Sequence, residues 1–194
     1  MNPERALQRL LEGNRRFAAD TPIHPHRNAT RRMQVSQAQE PFAVVLGCSD
    51  SRVPPELVFD CGLGDLFVFR TAGHVVDMAV IGSIAYGMDI LRVPLLMVLG
   101  HTNCGAVQAA IDLIEGTNNP DIEIGRLVDI VRPAADRAAE MDGDLWLNAV
   151  QANVEQTVDQ IKRTTRFSQA ILQDRLRIVG AVYDLSTGLV ELIC

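Results

Sequence analysis

Two continuous apolar runs stand out in the hydrophobic pattern of the chain. Residues 42–46 and 95–99 are apolar throughout, and a glycine, Gly47 or Gly100, follows each run. Short runs without polar alternation are typical of strands that are buried on both faces of a parallel sheet. Residues 66–70 predict a further strand between these two. The pattern therefore predicts at least three strands of one buried sheet.

Apolar residues at helical spacing predict helices before, between and after these strands. The longer predicted helices cover residues 3–19, 77–91, 106–115, 122–140 and 144–164, and shorter ones lie near 30–38, 56–59 and 168–173. Pro133 predicts either a kink or a break into two helices. Residues 176–183 and 189–193 flank a turn and predict a closing β-hairpin.

The order of these elements predicts an α/β fold. Strand, crossover helix and strand alternate along the middle of the chain, which favours a parallel sheet with helices on its faces. The closing hairpin would add one antiparallel strand. We therefore predict a mainly parallel central sheet, with four parallel strands plus an antiparallel C-terminal edge strand, flanked by helices and preceded by an N-terminal helical arm.

Residues 20–40 show no clear periodicity. Prolines at 22 and 25 and histidines at 24 and 26 predict a long arm outside the sheet, which is a candidate dimerisation element. A chain of 194 residues suits one domain. Within the single domain 1–194 we distinguish a helical dimerisation arm, residues 1–40, from an α/β core, residues 41–194.

Composition argues against several functions. The chain is 47% hydrophobic and 22% charged, its net charge is −6, and no basic excess favours nucleic acid. A membrane span needs about 18 uninterrupted apolar residues, which no stretch reaches, and the first helix is charged rather than a secretory signal. The cytoplasm is therefore the expected location.

Cysteine and histidine follow two of the predicted strands. Cys48 comes directly after Gly47, while His101 and Cys104 come after Gly100. If the two strands are neighbours, these side chains converge, and two thiolates with one imidazole suit zinc with a fourth position open for catalysis. Cys61 is an alternative fourth ligand, but we interpret it as a core thiol because two prolines separate it from Cys48.

Asp50 and Arg52 lie beside the proposed metal ligand Cys48. A bidentate pair between them would fix the carboxylate where it can accept a proton from metal-bound water. The alternative is a solvated loop ion pair of little energetic value. In the same way, His101 and Cys104 taken alone are more often structural than ligating.

The motifs GCSDSR at 47–52 and HTNCGA at 101–106 together closely resemble the two signatures of the β-class carbonic anhydrases. The similarity extends to the first helix, to GDLFVFR at 64–70 and to the closing hairpin, so it spans the whole chain. It implies that Cys48, His101 and Cys104 bind one zinc ion per chain and that Asp50 and Arg52 form the catalytic dyad. The implied reaction is reversible hydration of carbon dioxide to bicarbonate and a proton by zinc-bound hydroxide, with the Gly105 N–H stabilising the developing anion.

The resemblance also bears on the resting state. Members that close their site through a second bicarbonate use a tryptophan, an arginine and a tyrosine; Arg70 and Tyr183 match the last two, but Val45 stands at the tryptophan position. Gln39 matches a substrate-binding glutamine of permanently open members. We therefore predict an open resting site with Asp50 on Arg52, although Asp50 could become a fourth zinc ligand at low pH.

The family's basic unit is a homodimer in which the N-terminal helices embrace the partner, and larger homo-oligomers also occur. Gln39 and Phe42 are then expected to line the cleft at the interface. Many relatives carry asparagines where this chain has Thr71 and His74. His74 is either a proton shuttle or a structural or solvated loop residue, and His24 and His26 have the same status.

Two other functions remain open at this stage. The same scaffold could hydrolyse carbon disulfide or carbonyl sulfide, because a zinc-bound hydroxide attacks any similar electrophilic carbon. A non-catalytic zinc or bicarbonate sensor is a third hypothesis. It is weakened because both Asp50 and Arg52 are present, and a sensor need not keep them.

Overall fold

A five-stranded sheet organises the computed structural model, which describes residues 1–117 and 120–194. The strands are β1 Ala43–Cys48, β2 Leu66–Thr71, β3 Leu95–His101, β4 Arg177–Tyr183 and β5 Val190–Leu192. Their order across the sheet is β2-β1-β3-β4-β5; all neighbours are parallel except β4 and β5. The predicted sheet, with four parallel strands and an antiparallel edge strand, is confirmed.

The two apolar runs form the middle of this sheet. β1 and β3 are hydrogen-bonded neighbours, and every residue of both strands is buried. β2, by contrast, is a half-buried edge strand. Because β1 and β3 are parallel and adjacent, their carboxyl ends lie side by side at one edge of the sheet. This arrangement brings together the residues that follow the two strands.

Helices cover both faces of the sheet. Those described are α1 Pro3–Ala18, α2 Ala29–Gln34, α3 Pro55–Val58, α4 Met78–Asp89, α5 Gly105–Ile114, α6 Ile122–Ala138, α7 Leu145–Lys162 and α8 Thr165–Leu172. Side chains of Asn2, Asp77, Asp121 and Asp144 each accept a backbone N–H in the first turn of a helix, which sets where α1, α4, α6 and α7 begin. Among the described residues, no helix has the length and apolar character that crossing a membrane requires.

Helix α6 runs without interruption through Pro133. Proline inside a helix removes one hydrogen bond and costs about 3 kcal/mol. The buried face of α6, which includes Val128, Val131 and Ala135, packs against α5 and α7 and offsets that cost. Of the two alternatives that Pro133 predicts, the break into two helices is therefore wrong, because α6 is one helix.

The arm of residues 20–40 lies against the segment 56–65 of its own chain. Buried Asp60 accepts hydrogen bonds from the backbone N–H groups of Ile23 and His24 at 3.0 and 2.9 Å. Buried Asp65 accepts one from His26 Nδ1 at 2.8 Å. At Gly62 a Cβ atom would lie 2.1 Å from the Pro25 carbonyl oxygen, so only glycine permits this close approach. Two buried carboxylates thus anchor the arm.

Candidate metal centre

The structure brings Cys48, His101 and Cys104 together at the carboxyl ends of β1 and β3. Cys48 ends β1, His101 ends β3, and Cys104 is the N-cap residue of α5. Their sulfur and nitrogen atoms lie within 4.8 Å of one another, and the two Sγ atoms are 4.0 Å apart. All three side chains are buried. The convergence follows from the parallel pairing of β1 and β3.

The imidazole of His101 is oriented as a ligand. Its Nδ1 donates to the Thr102 carbonyl oxygen at 2.8 Å, so the lone pair is on Nε2. Within the part of the chain that the structure describes, Nε2 is the one buried side-chain nitrogen or oxygen without a hydrogen-bond partner. A buried polar atom without a partner is costly, and a cation at this point removes the cost.

The two thiols are arranged to carry negative charge. The hydrogen bond from the Cys104 thiol, opposed by burial and helped by His101, lowers the pKa of Cys48 to about 3. The hydrogen bond to Cys48, together with burial, raises the pKa of Cys104, and the backbone N–H groups of Val107 and Ala106 oppose this change. A divalent cation would displace the remaining proton, because the thiolate is the form that binds metal. Two thiolates and a neutral imidazole therefore fit zinc.

Cys61 is not part of this cluster. Burial raises its pKa to about 12, and its thiol donates to the Phe59 carbonyl oxygen at 3.3 Å. A neutral thiol with an internal acceptor behaves as a small core residue. This environment agrees with the interpretation of Cys61 as a core thiol.

Asp50 and Arg52 form a bidentate pair at the rim of the cluster. Nε and an Nη of Arg52 donate to Oδ1 and Oδ2 of Asp50 at 2.9 and 2.7 Å, and the Arg52 backbone N–H donates to Oδ1 at 2.9 Å. These bonds lower the pKa of Asp50 to about 2, although burial opposes the change. The Oδ2 atom is 3.9 Å from His101 Nε2, so the carboxylate borders the ligand cluster.

Arg70 holds the loop that carries Cys48 and Asp50. It stands opposite Gly47 in the pairing of β2 with β1, and its guanidinium donates to the carbonyl oxygens of Cys48, at 2.9 Å, and Asp50. Arg70 is the residue that matches the arginine of the second bicarbonate pocket in some relatives, and here its guanidinium bonds to these two carbonyl oxygens. Val45, at the tryptophan position of that pocket, is fully buried within the sheet.

The other predicted site residues lie at two different places. Gly105 is the first residue of α5, next to Cys104, and the space beside its Cα is open. Gln39 and Phe42 lie before β1, and Phe42 is about 20 Å from the Cys48 end of the strand given a rise of about 3.3 Å per residue. Phe42 packs under the Arg9 guanidinium at 4.0 Å. Within one protomer, therefore, Gln39 and Phe42 do not line the cluster.

Sequence reasoning missed Trp146, Asn153 and Thr157 of α7, which lie near the cluster, whereas it named His74 without identifying its partners. Trp146 of α7 donates from Nε1 to the Cys104 carbonyl oxygen at 3.3 Å. His74 is fully buried, and Asn153 and Thr157 contact its ring nitrogens. In the sequence these positions are a lone tryptophan and ordinary polar residues of an amphipathic helix. Only the tertiary packing of α7 brings them to the metal ligands.

Comparison with known proteins gives consistent matches. A family model described as carbonic anhydrase matches residues 43–190. Carbonic anhydrase of Mycolicibacterium smegmatis is 44% identical over 98% of this chain and 93% of that protein. Carbonic anhydrase 2 of Mycobacterium tuberculosis is 43% identical over 96% of this chain and 91% of that protein.

A solved structure shares both fold and sequence with the chain. It is the Coccomyxa β-carbonic anhydrase in complex with acetazolamide, with a TM-score of 0.76 and 30% identity over 95% of this chain and 84% of that one. Because relatives match in sequence and in fold along nearly the whole length, the chain belongs to the β-class carbonic anhydrases, a family of carbonate dehydratases.

Proposed function

We propose that this chain catalyses the zinc-dependent reversible hydration of carbon dioxide to bicarbonate and a proton, with Asp50 and Arg52 as its catalytic dyad and an open resting site. The observation that carries the proposal is the buried, unpartnered Nε2 of His101 among two thiols, with an ionised carboxylate at 3.9 Å. A structural zinc site would need a fourth protein ligand, whereas these three residues leave the fourth position for water or substrate.

Cys48, His101 and Cys104 would hold the zinc ion. Zinc in such a site supplies Lewis acidity, because it lowers the pKa of a water molecule to about 7 and provides a nucleophile near neutral pH. The chain's contribution is to place two sulfurs and one imidazole nitrogen within reach of a single ion. The Nδ1–H bond of His101 to Thr102 fixes the tautomer for this purpose.

Asp50 would accept a hydrogen bond from the attacking water and orient its lone pair toward carbon dioxide. Its low pKa keeps it ionised throughout the neutral range. Arg52 occupies both carboxylate oxygens and so keeps Asp50 away from the ligand position. The Arg70 bonds to the Cys48 and Asp50 carbonyls support the same loop conformation. This geometry supports the open resting site.

Gly105 would stabilise the negative charge that develops on the substrate. Its N–H is in the first turn of α5, where the helix dipole favours anions, and the space beside its Cα is open. If the Gly105 N–H and the Asp50 carboxylate contact the reacting atoms from different sides, both interactions would strengthen in the transition state. They would then stabilise the transition state more than the substrate.

We further propose that the working unit is a homodimer or a larger homo-oligomer, held in part by the arm of residues 1–40. The support is that β2 is an edge strand among the described residues, and that exposed Tyr86 of α4 stacks on Phe67 of this strand. Met33 of α2 is a further exposed apolar residue in the arm. In such an assembly, Gln39 and Phe42 would line the cleft of the partner's site rather than their own.

The cytoplasm remains the proposed location. All four cysteines are free, and Cys48 and Cys104 must be reduced to bind zinc. A reducing compartment therefore suits the site.

Stopped-flow hydration of carbon dioxide tests the function on protein of measured zinc content. We expect activity at mildly alkaline pH in the wild type, and a loss of about 10²-fold or more in Asp50→Asn with zinc content unchanged. Fully zinc-loaded wild type without hydration activity would contradict the proposal. Parallel assays with carbon disulfide and carbonyl sulfide would then identify the alternative hydrolase, and inactivity toward all three would favour a sensor.

A further inference from the structure

A buried polar cluster lies next to Gly73, whose N–H donates to the Cys48 sulfur. His74 is 2% exposed and ends the 3-10 turn Ala72–His74 with a left-handed φ of 47°. Asn153 and Thr157 reach its ring from α7 and are also buried. None of these three residues has a role in the proposed reaction. A left-handed, buried histidine is a strained arrangement that needs a physical reason.

The hydrogen bonds of this cluster define the state of the imidazole. Nδ2 of Asn153 donates to the Gly73 carbonyl oxygen at 3.0 Å and lies 3.3 Å from His74 Nε2. An amide nitrogen can only donate, so Nε2 accepts and the ring proton is on Nδ1, facing Thr157 Oγ1 at 3.3 Å. Burial lowers the pKa of His74 to about 4, which keeps the ring neutral as this arrangement requires.

Gly73 connects the cluster to the metal ligand. While its carbonyl oxygen accepts from Asn153, its N–H points to the Cys48 Sγ at 3.4 Å. Its left-handed φ of 60° and the packing of Ala106 and Val131, 3.1 and 3.3 Å from a hypothetical Cβ, leave room only for glycine. Three contacts thus fix the Gly73 N–H that donates to the sulfur. Asn153 bonds to the Gly73 carbonyl oxygen, Ala106 and Val131 pack against the Gly73 Cα, and the next residue, His74, is itself held in the polar cluster.

Core packing alone does not account for the cluster. Val150 and Val154 of the same helix show that apolar residues fit beside the sheet here. A buried polar group that only satisfies another buried polar group is often neutral or destabilising compared with an apolar pair. What the three polar side chains add is a fixed N–H donor on the sulfur, which controls the charge on that ligand.

We propose that His74, Asn153 and Thr157 are positioning residues that hold the Gly73 N–H on the Cys48 sulfur and so set the electron density that this thiolate offers to a bound divalent cation. The inference rests on the metal site of the proposed function. Removing Asn153 frees Gly73 and weakens the N–H···S bond. The sulfur then becomes more electron-rich and more easily oxidised, while its position becomes less defined.

Cobalt-substituted protein gives a direct readout, because sulfur-to-cobalt charge transfer reports the electron density on the thiolates. In Asn153→Ala we expect this absorption band to move to longer wavelength, because the sulfur is more electron-rich. The zinc Kd should rise about 10-fold or more, because the loss of a defined sulfur position outweighs its stronger donation. Asn14→Ala is the matched control, since Asn14 is equally buried and donates to the Val58 and Gly188 carbonyl oxygens far from the cluster. It should lose stability without moving the band.

Thr157 provides a second, smaller change. Thr157→Val removes the acceptor of the Nδ1 proton at constant shape and should move the band in the same direction, while Thr157→Ser should restore it. An Asn153→Ala or Thr157→Val band that coincides with those of the wild type and Asn14→Ala would overturn the positioning role. Wild-type protein without any sulfur-to-cobalt band would instead contradict the metal site itself.

Discussion

The ligand cluster and the Asp50–Arg52 pair are neighbours, but they are held in different ways. The proposed ligands Cys48, His101 and Cys104 are 5%, 1% and 3% exposed and belong to the ends of central elements. The side chains of Asp50 and Arg52 are 18% and 52% exposed and belong to one loop. Metal binding should therefore depend on the whole fold, whereas the pair can change state locally. Mutations should be able to remove metal binding and the Asp50–Arg52 pair independently of each other.

The largest effect is expected from breaking the ligand cluster. Cys104→Ser removes a thiolate from a buried three-ligand site, so zinc content should fall close to zero and hydration activity by about 10³-fold or more. Metal analysis and stopped-flow assays measure both. Cys61→Ser is the matched control, because Cys61 is an equally buried thiol outside the cluster. If Cys104→Ser kept its zinc, the assigned ligand set would be wrong.

Breaking the pair should be less severe and should spare the metal. Arg52→Met removes the two side-chain hydrogen bonds that Arg52 donates to Asp50, and kcat/KM should fall about 10²-fold at unchanged zinc content. Arg132→Met is the control, because Arg132 forms a similarly exposed ion pair with Asp136 on α6, away from the cluster. Loss of zinc from Arg52→Met would show that the two regions are not independent.

His74, which lies near the ligand cluster, should make the stability of the protein depend on pH. Burial lowers the pKa of His74 from 6.5 to about 4, so below pH 6.5 the unfolded chain binds a proton that the folded chain does not. The free energy of unfolding should therefore fall as the pH drops from 6.5 to 4, by up to about 3 kcal/mol from this residue.

Urea unfolding of metal-free protein measures this dependence. His74→Asn should flatten the slope by up to one proton relative to the wild type. Equal slopes in the wild type and His74→Asn would mean that His74 titrates normally.

The smallest effect is spectroscopic. Trp146 is the one tryptophan of the chain, and its indole N–H bonds to the carbonyl of a proposed ligand, Cys104. Removing zinc with a chelator should change its emission, and adding zinc should restore it. Cys104→Ser protein should not respond to the chelator. An unchanged wild-type spectrum would indicate that the indole does not sense the site.

The sheet and the ligand cluster could be predicted because both depend on short-range patterns. Apolar runs mark the strands β1 and β3, and glycine followed by Cys48 or His101 marks where they end. Once the two strands are parallel neighbours, the convergence of their ends follows from geometry alone. The proposed catalytic role of Asp50 and Arg52, by contrast, depends on the resemblance of the motif to the family signature.

The surroundings of the cluster could not be predicted, because they depend on contacts between distant parts of the chain. His74 was interpreted as a shuttle or a structural or solvated residue, yet Asn153 and Thr157 enclose it from 79 and 83 residues away. Nothing in the amphipathic pattern of α7 distinguishes these two positions. Likewise, the continuity of α6 through Pro133 depends on the packing of its buried face.

A crystal structure of the zinc-loaded protein grown near neutral pH tests the difference between the two regions most directly. The account predicts that Cys48, His101 and Cys104 bind the metal and that Asp50 stays on Arg52, with water or an anion at the fourth position. An Asp50 carboxylate oxygen at a zinc coordination distance of about 2.0–2.2 Å would contradict it.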